Sequence, residues 1–228
     1  TIELKPYDFE GEKGQYAWRV RSKNSAGWSG YSGYGYFYVI SNGFHSTFDN
    51  HTNKWQALYG DWFRVDPGYV KTKGVSNQYA SVIQREFFLN NYVYEVKMKR
   101  KVEAFGDTPS NRIYFMATPG SDPTDGWDGG YEFYYYDDGN WRLAIRDGDI
   151  ATILASGDSV KIKPYGWNKL TVVTDLPYID LWINEYYLGW TYVGDDPMSY
   201  DRGYVGIAGF KNTGKTSLLV DRASVEYT

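Results

Sequence analysis

The chain has 228 residues, with 24 Lys plus Arg against 28 Asp plus Glu, for a net charge of −4. That length allows one large domain or a domain with an appended piece, and 42 % hydrophobic against 23 % charged residues is a globular composition. The acidic balance argues against a nucleic-acid surface, no run is long and apolar enough to span a bilayer, and the absence of cysteine removes thiol nucleophiles, Cys-based zinc sites and disulfides. The unusual number is aromatic: 24 Tyr, 11 Phe and 9 Trp make 19 % of the chain, residues that favour strands and offer flat faces for stacking.

Near the N-terminus, Tyr16, Trp18 and Val20 alternate with Ala17, Arg19 and Arg21, which predicts a strand with one aromatic face. Asn24-Ser25-Ala26-Gly27 reads as a turn, and Ile40-Ser41-Asn42-Gly43 as a boundary. Further on, Tyr92, Tyr94, Val96 and Met98 share one face of an extended segment, opposite Glu95, Lys97, Lys99 and Lys101. Ile113, Phe115 and Ala117 repeat the period of two, as do Trp141, Leu143 and Ile145, and then Ile179, Leu181 and Ile183. Turn clusters stand at Asp137-Asp138-Gly139-Asn140, Asp147-Gly148-Asp149, Lys163-Pro164-Tyr165-Gly166 and Asn212-Thr213-Gly214. No stretch carries a helical period over 11 or more residues. Many short antiparallel strands with dense turns predict an all-β sandwich or jelly roll.

Two resemblances sharpen this reading. Residues 15–32, with the Asn-x-x-Gly turn, a Ser-rich final strand and Leu4-Lys5-Pro6 upstream, closely resemble the end of a fibronectin type III domain over residues 4–40. Such a sandwich takes ~100 residues, so the resemblance implies a further part upstream of Thr1. Residues 44–228 resemble the concanavalin A-like, laminin G-like jelly roll, in the bacterial branch of the family 16 glycoside hydrolases and keto-disaccharide hydrolases. The matching elements, in order, are Phe48-Asp49 with Trp55, Gly60-Asp61-Trp62, Tyr94-Glu95-Val96-Lys97 and Gly130-Tyr131-Glu132-Phe133. Trp167-Asn168-Lys169-Leu170-Thr171-Val172, Trp182-Ile183-Asn184, Gly203-Tyr204-Val205-Gly206-Ile207 and Val220-Asp221 follow. The implied fold is a two-sheet antiparallel jelly-roll sandwich over 44–228, preceded by a partial fibronectin type III segment over 1–40. The bare aromatic face of that segment needs a cover: the jelly roll of the same chain first, a neighbouring chain second.

Chemistry has few candidates. His45 and His51 are the only histidines, and neither sits near a serine or paired-acid motif, so they read as loop or edge-strand residues. Family 16 hydrolases carry both acids on one strand as Glu-x-Asp-x-x-Glu, and no such string occurs. Glu132 lacks a same-face partner, because alternation turns Asp137 to the opposite face. The basic run Lys97-Met98-Lys99-Arg100-Lys101 reads first as a solvated strand face, with sulfated-glycan binding as the functional alternative. The segment from Gly126 to Tyr136 is aromatic on both faces. One face fills the core and the other is expected to present rings to sugar C–H faces in a concave groove. The candidate carbohydrate-binding set is Trp127, Tyr131, Glu132, Tyr134, Tyr136, Trp141 and Arg142. For calcium, the jelly-roll resemblance implies Asp49 and Asp221, each following a hydrophobic strand residue, with backbone hydrogen bonding as their alternative role. The loop from Asp122 to Asp128 is a second possibility.

The resulting expectation is a non-catalytic, extracellular or cell-surface carbohydrate-recognition module of a larger, bacterial multidomain protein, taking a polysaccharide or oligosaccharide. The alternatives are a glycoside hydrolase with a rearranged acid pair and an adhesive domain that binds protein.

Overall fold

The computed structural model describes residues 14–39, 42–48, 54–65, 69–73, 80–102, 110–120, 126–194, 199–210 and 216–228. Their strands, in chain order, are β1 (Gly14–Trp18), β2 (Lys23–Asn24), β3 (Gly27–Trp28), β4 (Gly35–Val39), β5 (Phe44–Ser46), β6 (Trp55–Tyr59) and β7 (Asp61–Val65). There follow β8 (Tyr69–Lys73), β9 (Ala80–Gln84), β10 (Phe88–Leu89), β11 (Tyr92–Val102), β12 (Ser110–Pro119), β13 (Trp127–Tyr136) and β14 (Asn140–Asp147). The last are β15 (Ile150–Asp158), β16 (Asn168–Asp175), β17 (Tyr178–Ile183), β18 (Tyr186–Tyr192), β19 (Arg202–Gly209) and β20 (Thr216–Tyr227). No α-helix occurs among the described residues. The strand reading therefore holds among the described residues, with one correction: an irregularity at Met116 puts that residue in the main core and turns Ala117, expected beside Ile113 and Phe115, to the other face.

Two antiparallel sheets dominate. The first runs β15-β14-β13-β12-β19-β9-β6, with β10 also on β19. The second runs β18-β17-β16-β11-β20-β8-β7, with β5 also on β20. Alternation gives each sheet one apolar face, and the two pack on each other. Phe115, Phe133, Leu143, Ile145 and Ile207 come from the first sheet; Tyr94, Val96, Met98, Leu170, Val172, Leu181 and Leu218 come from the second. Ahead of them, β1 pairs β4 and β2 pairs β3. Between these short strands, Arg19 lies 3.8 Å from the Tyr31 ring centre and Arg21 4.2 Å from that of Trp28. The side chains of Tyr16 and Trp18 lie outside the described residues.

Polar ties cross the core. The Tyr94 hydroxyl donates to the Gly206 carbonyl at 3.0 Å, and the Met116 amide donates to the Tyr92 hydroxyl at 3.2 Å. Burial pushes both phenols far above their ordinary value. Arg100, on β11 of the second sheet, is fully buried and reaches the first, donating to Asn111 Oδ1 at 3.1 Å and to the Ser110 carbonyl at 2.7 Å. Burial lowers its guanidinium to about 10. Lone buried charge is costly, and here carbonyl and amide oxygens replace the lost water.

At the same end of the sandwich sits Asp137, in the β13–β14 turn. Burial lifts its carboxyl from 3.8 to about 6, against the opposing pull of Arg100 and the Tyr165 amide. The folded state thus holds this proton more tightly than the unfolded chain does. The associated stability is full below about pH 4 and is lost as pH rises through about 6. Asp137→Asn should therefore melt higher than the native chain at pH 7, with the gap closing toward pH 4 in a series of thermal melts.

Candidate functional site

Strand β13 places the sequence-predicted sugar residues on both faces of the first sheet. Tyr131 and Trp141 belong to the main core, together with Phe133 and Tyr135. Trp127 is fully buried on the sheet's other face, in a second cluster with Ile83, Tyr114, Ala117 and Ala208. Its indole stacks on Tyr114 at 4.8 Å and 15°. Gly206 is what admits it, since a methyl group there would run into the indole ring. Tyr134 is buried as well, with the Arg112 guanidinium 4.4 Å from its ring centre. Only Tyr136, half-buried, and Arg142, exposed, remain accessible. The expected exposure of Trp127, Tyr134 and Trp141 is corrected. Trp141 serves the core, and the other two are covered on the face that was expected to be open.

Glu132 lies at the centre of that covered face. Its carboxylate meets Arg112 Nη1 at 2.8 Å and Arg146 Nη2 at 3.6 Å, and all three side chains are buried. Its cross-strand neighbours are Tyr114 and Ala144, and its same-face neighbours along β13 are Gly130 and Tyr134. None of these strand neighbours is a second acid. A glycosidase acid pair spans roughly 5–9 Å across an open scissile bond, whereas this carboxylate is engaged by two guanidinium groups.

The calcium pair is only half visible. Asp49 lies outside the described residues, as do Asp122 and Asp125 of the alternative loop. Asp221 is held by the Lys97 ammonium at 2.8 Å. That contact engages Oδ2 of the carboxylate, which gives Asp221 the role of counter-charge to Lys97. No group of three metal-ligating side chains occurs among the described residues. His45 is exposed on β5, and His51 lies outside the described residues.

A different surface carries the exposed rings. In β17, Ile179, Leu181 and Ile183 point into the core, so Tyr178, Asp180 and Trp182 point out of the second sheet. Edge strand β18 completes the set: Tyr192 pairs with Tyr178, Trp190 with Asp180, and Tyr187 with Trp182. Tyr187 and Trp190 are three residues apart, which in a regular strand would put them on opposite faces. The register shift between Leu181 and Trp182, with Gly189 at φ 134°, inserts the extra residue that turns both outward. Trp190 is 61 % exposed, and Tyr178, Tyr187 and Tyr192 are each close to half exposed. Tyr178 meets Trp190 edge-on at 5.5 Å, and Trp182 lies 5.0 Å from Tyr187. The Tyr187 hydroxyl donates to Asp180 at 2.6 Å, which fixes that ring and raises its phenol above the ordinary value. The sequence signal was the complement of the Ile179-Leu181-Ile183 alternation, joined to the aromatic density of Tyr186–Tyr192.

No family model matches the chain, and no curated protein matches it in sequence. Solved structures do share its fold. The carbohydrate-binding module CBM66 from Bacillus subtilis is 12 % identical, covering 74 % of this chain and 94 % of that one at a TM-score of 0.57. The carbohydrate recognition domain of Emp47p is 13 % identical, covering 82 % and 95 % at 0.62. A Bacillus licheniformis β-glucanase is 11 % identical, covering 82 % and 99 %, also at 0.62. The fold is thus the concanavalin A-like, galectin-like jelly roll. Carbohydrate-binding modules and glycoside hydrolases both use it.

The Glu132 cluster yields a direct test. Glu132→Ala leaves two buried guanidinium groups without their shared counter-charge, and breaking such a pair costs about 3–5 kcal/mol. Urea denaturation should show a loss of that size, with the midpoint falling accordingly.

Proposed function

We propose that residues 44–228 form a non-catalytic carbohydrate-recognition module, and that the rings outside β17 and β18 hold its ligand. The observation that carries this reading is the cluster of Tyr178, Trp182, Tyr187, Trp190 and Tyr192 on one outward face, mostly solvent-exposed. Large exposed apolar patches on a folded surface mark interaction sites. Tyr and Trp combine a broad apolar face with a polar edge, which suits a sugar's C–H face and the hydroxyls around it. Asp180, in the same row as Trp190, supplies an acceptor for such hydroxyls. The neighbours sharing this fold include a carbohydrate-binding module and a carbohydrate recognition domain, which supports the ligand class.

The absence of catalysis is part of the proposal and is supported by Glu132, whose carboxylate is sealed between Arg112 and Arg146. An extracellular or surface setting in a larger bacterial protein follows from the fibronectin-like segment before the module, and belongs to the same proposal.

A polysaccharide panel should therefore reveal binding by the 228-residue chain. Trp190→Ala and Tyr178→Ala should each weaken it about fivefold to tenfold, or ~1–1.4 kcal/mol. Their melting temperatures should change little, because exposed surface substitutions stay within about 0.5 kcal/mol. Unaltered affinity in both variants would refute the assignment of the ligand to this face.

A further inference from the structure

Beyond the aromatic rows, the same outer face of the second sheet turns basic. Trp182 pairs with Thr171 of β16, and Lys169 stands two residues further along that strand on the same face, roughly 7 Å away. Lys169 pairs directly with Lys97 of β11, and Lys97 pairs directly with Arg222 of β20. Three cations therefore occupy one cross-strand row on three neighbouring strands. Like charges directly opposite one another destabilise a sheet, so the row needs a compensating reason.

Local carboxylates provide only part of it. Asp221 takes Lys97 at 2.8 Å, and Lys169 meets Glu95 at 3.0 Å and Glu185 at 3.6 Å. Arg222 and Lys163 form no ion pair among the described residues. Lys97, Lys163, Lys169 and Arg222, with Trp167, Asn184 and Glu185, line a cleft of about 310 Å³. That volume is at the lower end for small-ligand sites. The Trp167 indole, at 5.4 Å from the Lys97 ammonium and 4.7 Å from that of Lys99, anchors both beside the cleft. Five cations thus face three carboxylates on a chain whose net charge is −4. A cleft with a surplus of one sign of charge concentrates the opposite sign.

We infer that this cleft binds the carboxylate of an acidic sugar residue, so that the polysaccharide recognised by the module contains uronic acid. The inference rests on the sugar-binding reading above and deepens it. A planar guanidinium matches a carboxylate with two parallel hydrogen bonds, and Arg222, the guanidinium in the cleft, forms no ion pair among the described residues. The surplus of positive charge is small, which suits one carboxylate per sugar residue rather than a densely sulfated chain. The cleft adjoins the Trp182 and Tyr187 row, so a chain lying along the rings reaches it without leaving the sheet.

The test compares polygalacturonate with its carboxyl-reduced, neutral form, and with dextran sulfate, by affinity electrophoresis and calorimetry on the 228-residue chain. Polygalacturonate should bind at least tenfold more tightly than its reduced form, and its affinity should fall as salt screens the cleft. Arg222→Ala and Lys163→Ala should each weaken it several-fold with unchanged melting temperature, and should leave binding of the reduced form as it was. Equal affinity for the two forms, lost on Trp190→Ala, would overturn the acidic specificity and leave the sugar-binding reading standing. Binding of dextran sulfate alone would replace the uronate with a sulfate and overturn the inference. Absence of binding to any polysaccharide would overturn both.

Discussion

The burial of Ile179, Leu181 and Ile183 is the constraint on which the functional face depends. A strand has two faces, and a core that claims one of them sends the other outward without exception. In β17 this sends out Tyr178, Asp180 and Trp182. In β18, which is an edge strand, the bulge at Gly189 adds Tyr187, Trp190 and Tyr192 to the same side. The rings are therefore presented by backbone register, on paired strands rather than on loops. A surface built in this way is organised before any ligand arrives, which spares the cost of ordering it on binding.

The rest of the sandwich makes that register hold. Tyr94 bonds across the core to Gly206, Arg100 to Ser110 and Asn111, and Met116 to Tyr92, so the two sheets are fastened by directional bonds as well as by apolar contact. Aromatic residues have a double use here. Tyr92, Tyr94, Tyr131 and Tyr135 fill the interior, where three of their hydroxyls meet partners from the opposite sheet, while the β17–β18 rings face solvent. On the outer side of the first sheet, Trp127 over Tyr114 and the Arg112–Glu132–Arg146 group close the face on which the groove was expected. That closure moves the candidate site to the second sheet.

Much of the fold is legible in the sequence because alternation is local. Tyr92 to Met98, Ile113 to Phe115, Leu143 to Ile145 and Ile179 to Ile183 all bury the residues that their period assigns to the core. The site was less legible, for two physical reasons. In β13 both faces carry rings, and period two separates the faces without saying which is covered; the cover over Trp127 and Tyr134 is a tertiary fact. In β18 the bulge breaks the period, so Tyr187 and Trp190 read as opposed residues although they share a face. The basic row was visible only in part. Lys97 and Lys99 stood out as a charged strand face, but the cross-strand alignment with Lys169 and Arg222 depends on pairings between distant segments.

The central claim is that the ligand lies on the outer face of the second sheet. The most direct measurement is an NMR titration of the 15N-labelled chain with an acidic oligosaccharide, following the indole N–H signals assigned by single Trp→Phe substitution. The account predicts that Trp190, Trp182 and Trp167 shift in a saturable way while Trp127 and Trp141 stay in place. Saturable shifts confined to Trp127 and the β13 backbone, with Trp190 and Trp182 unmoved, would contradict it.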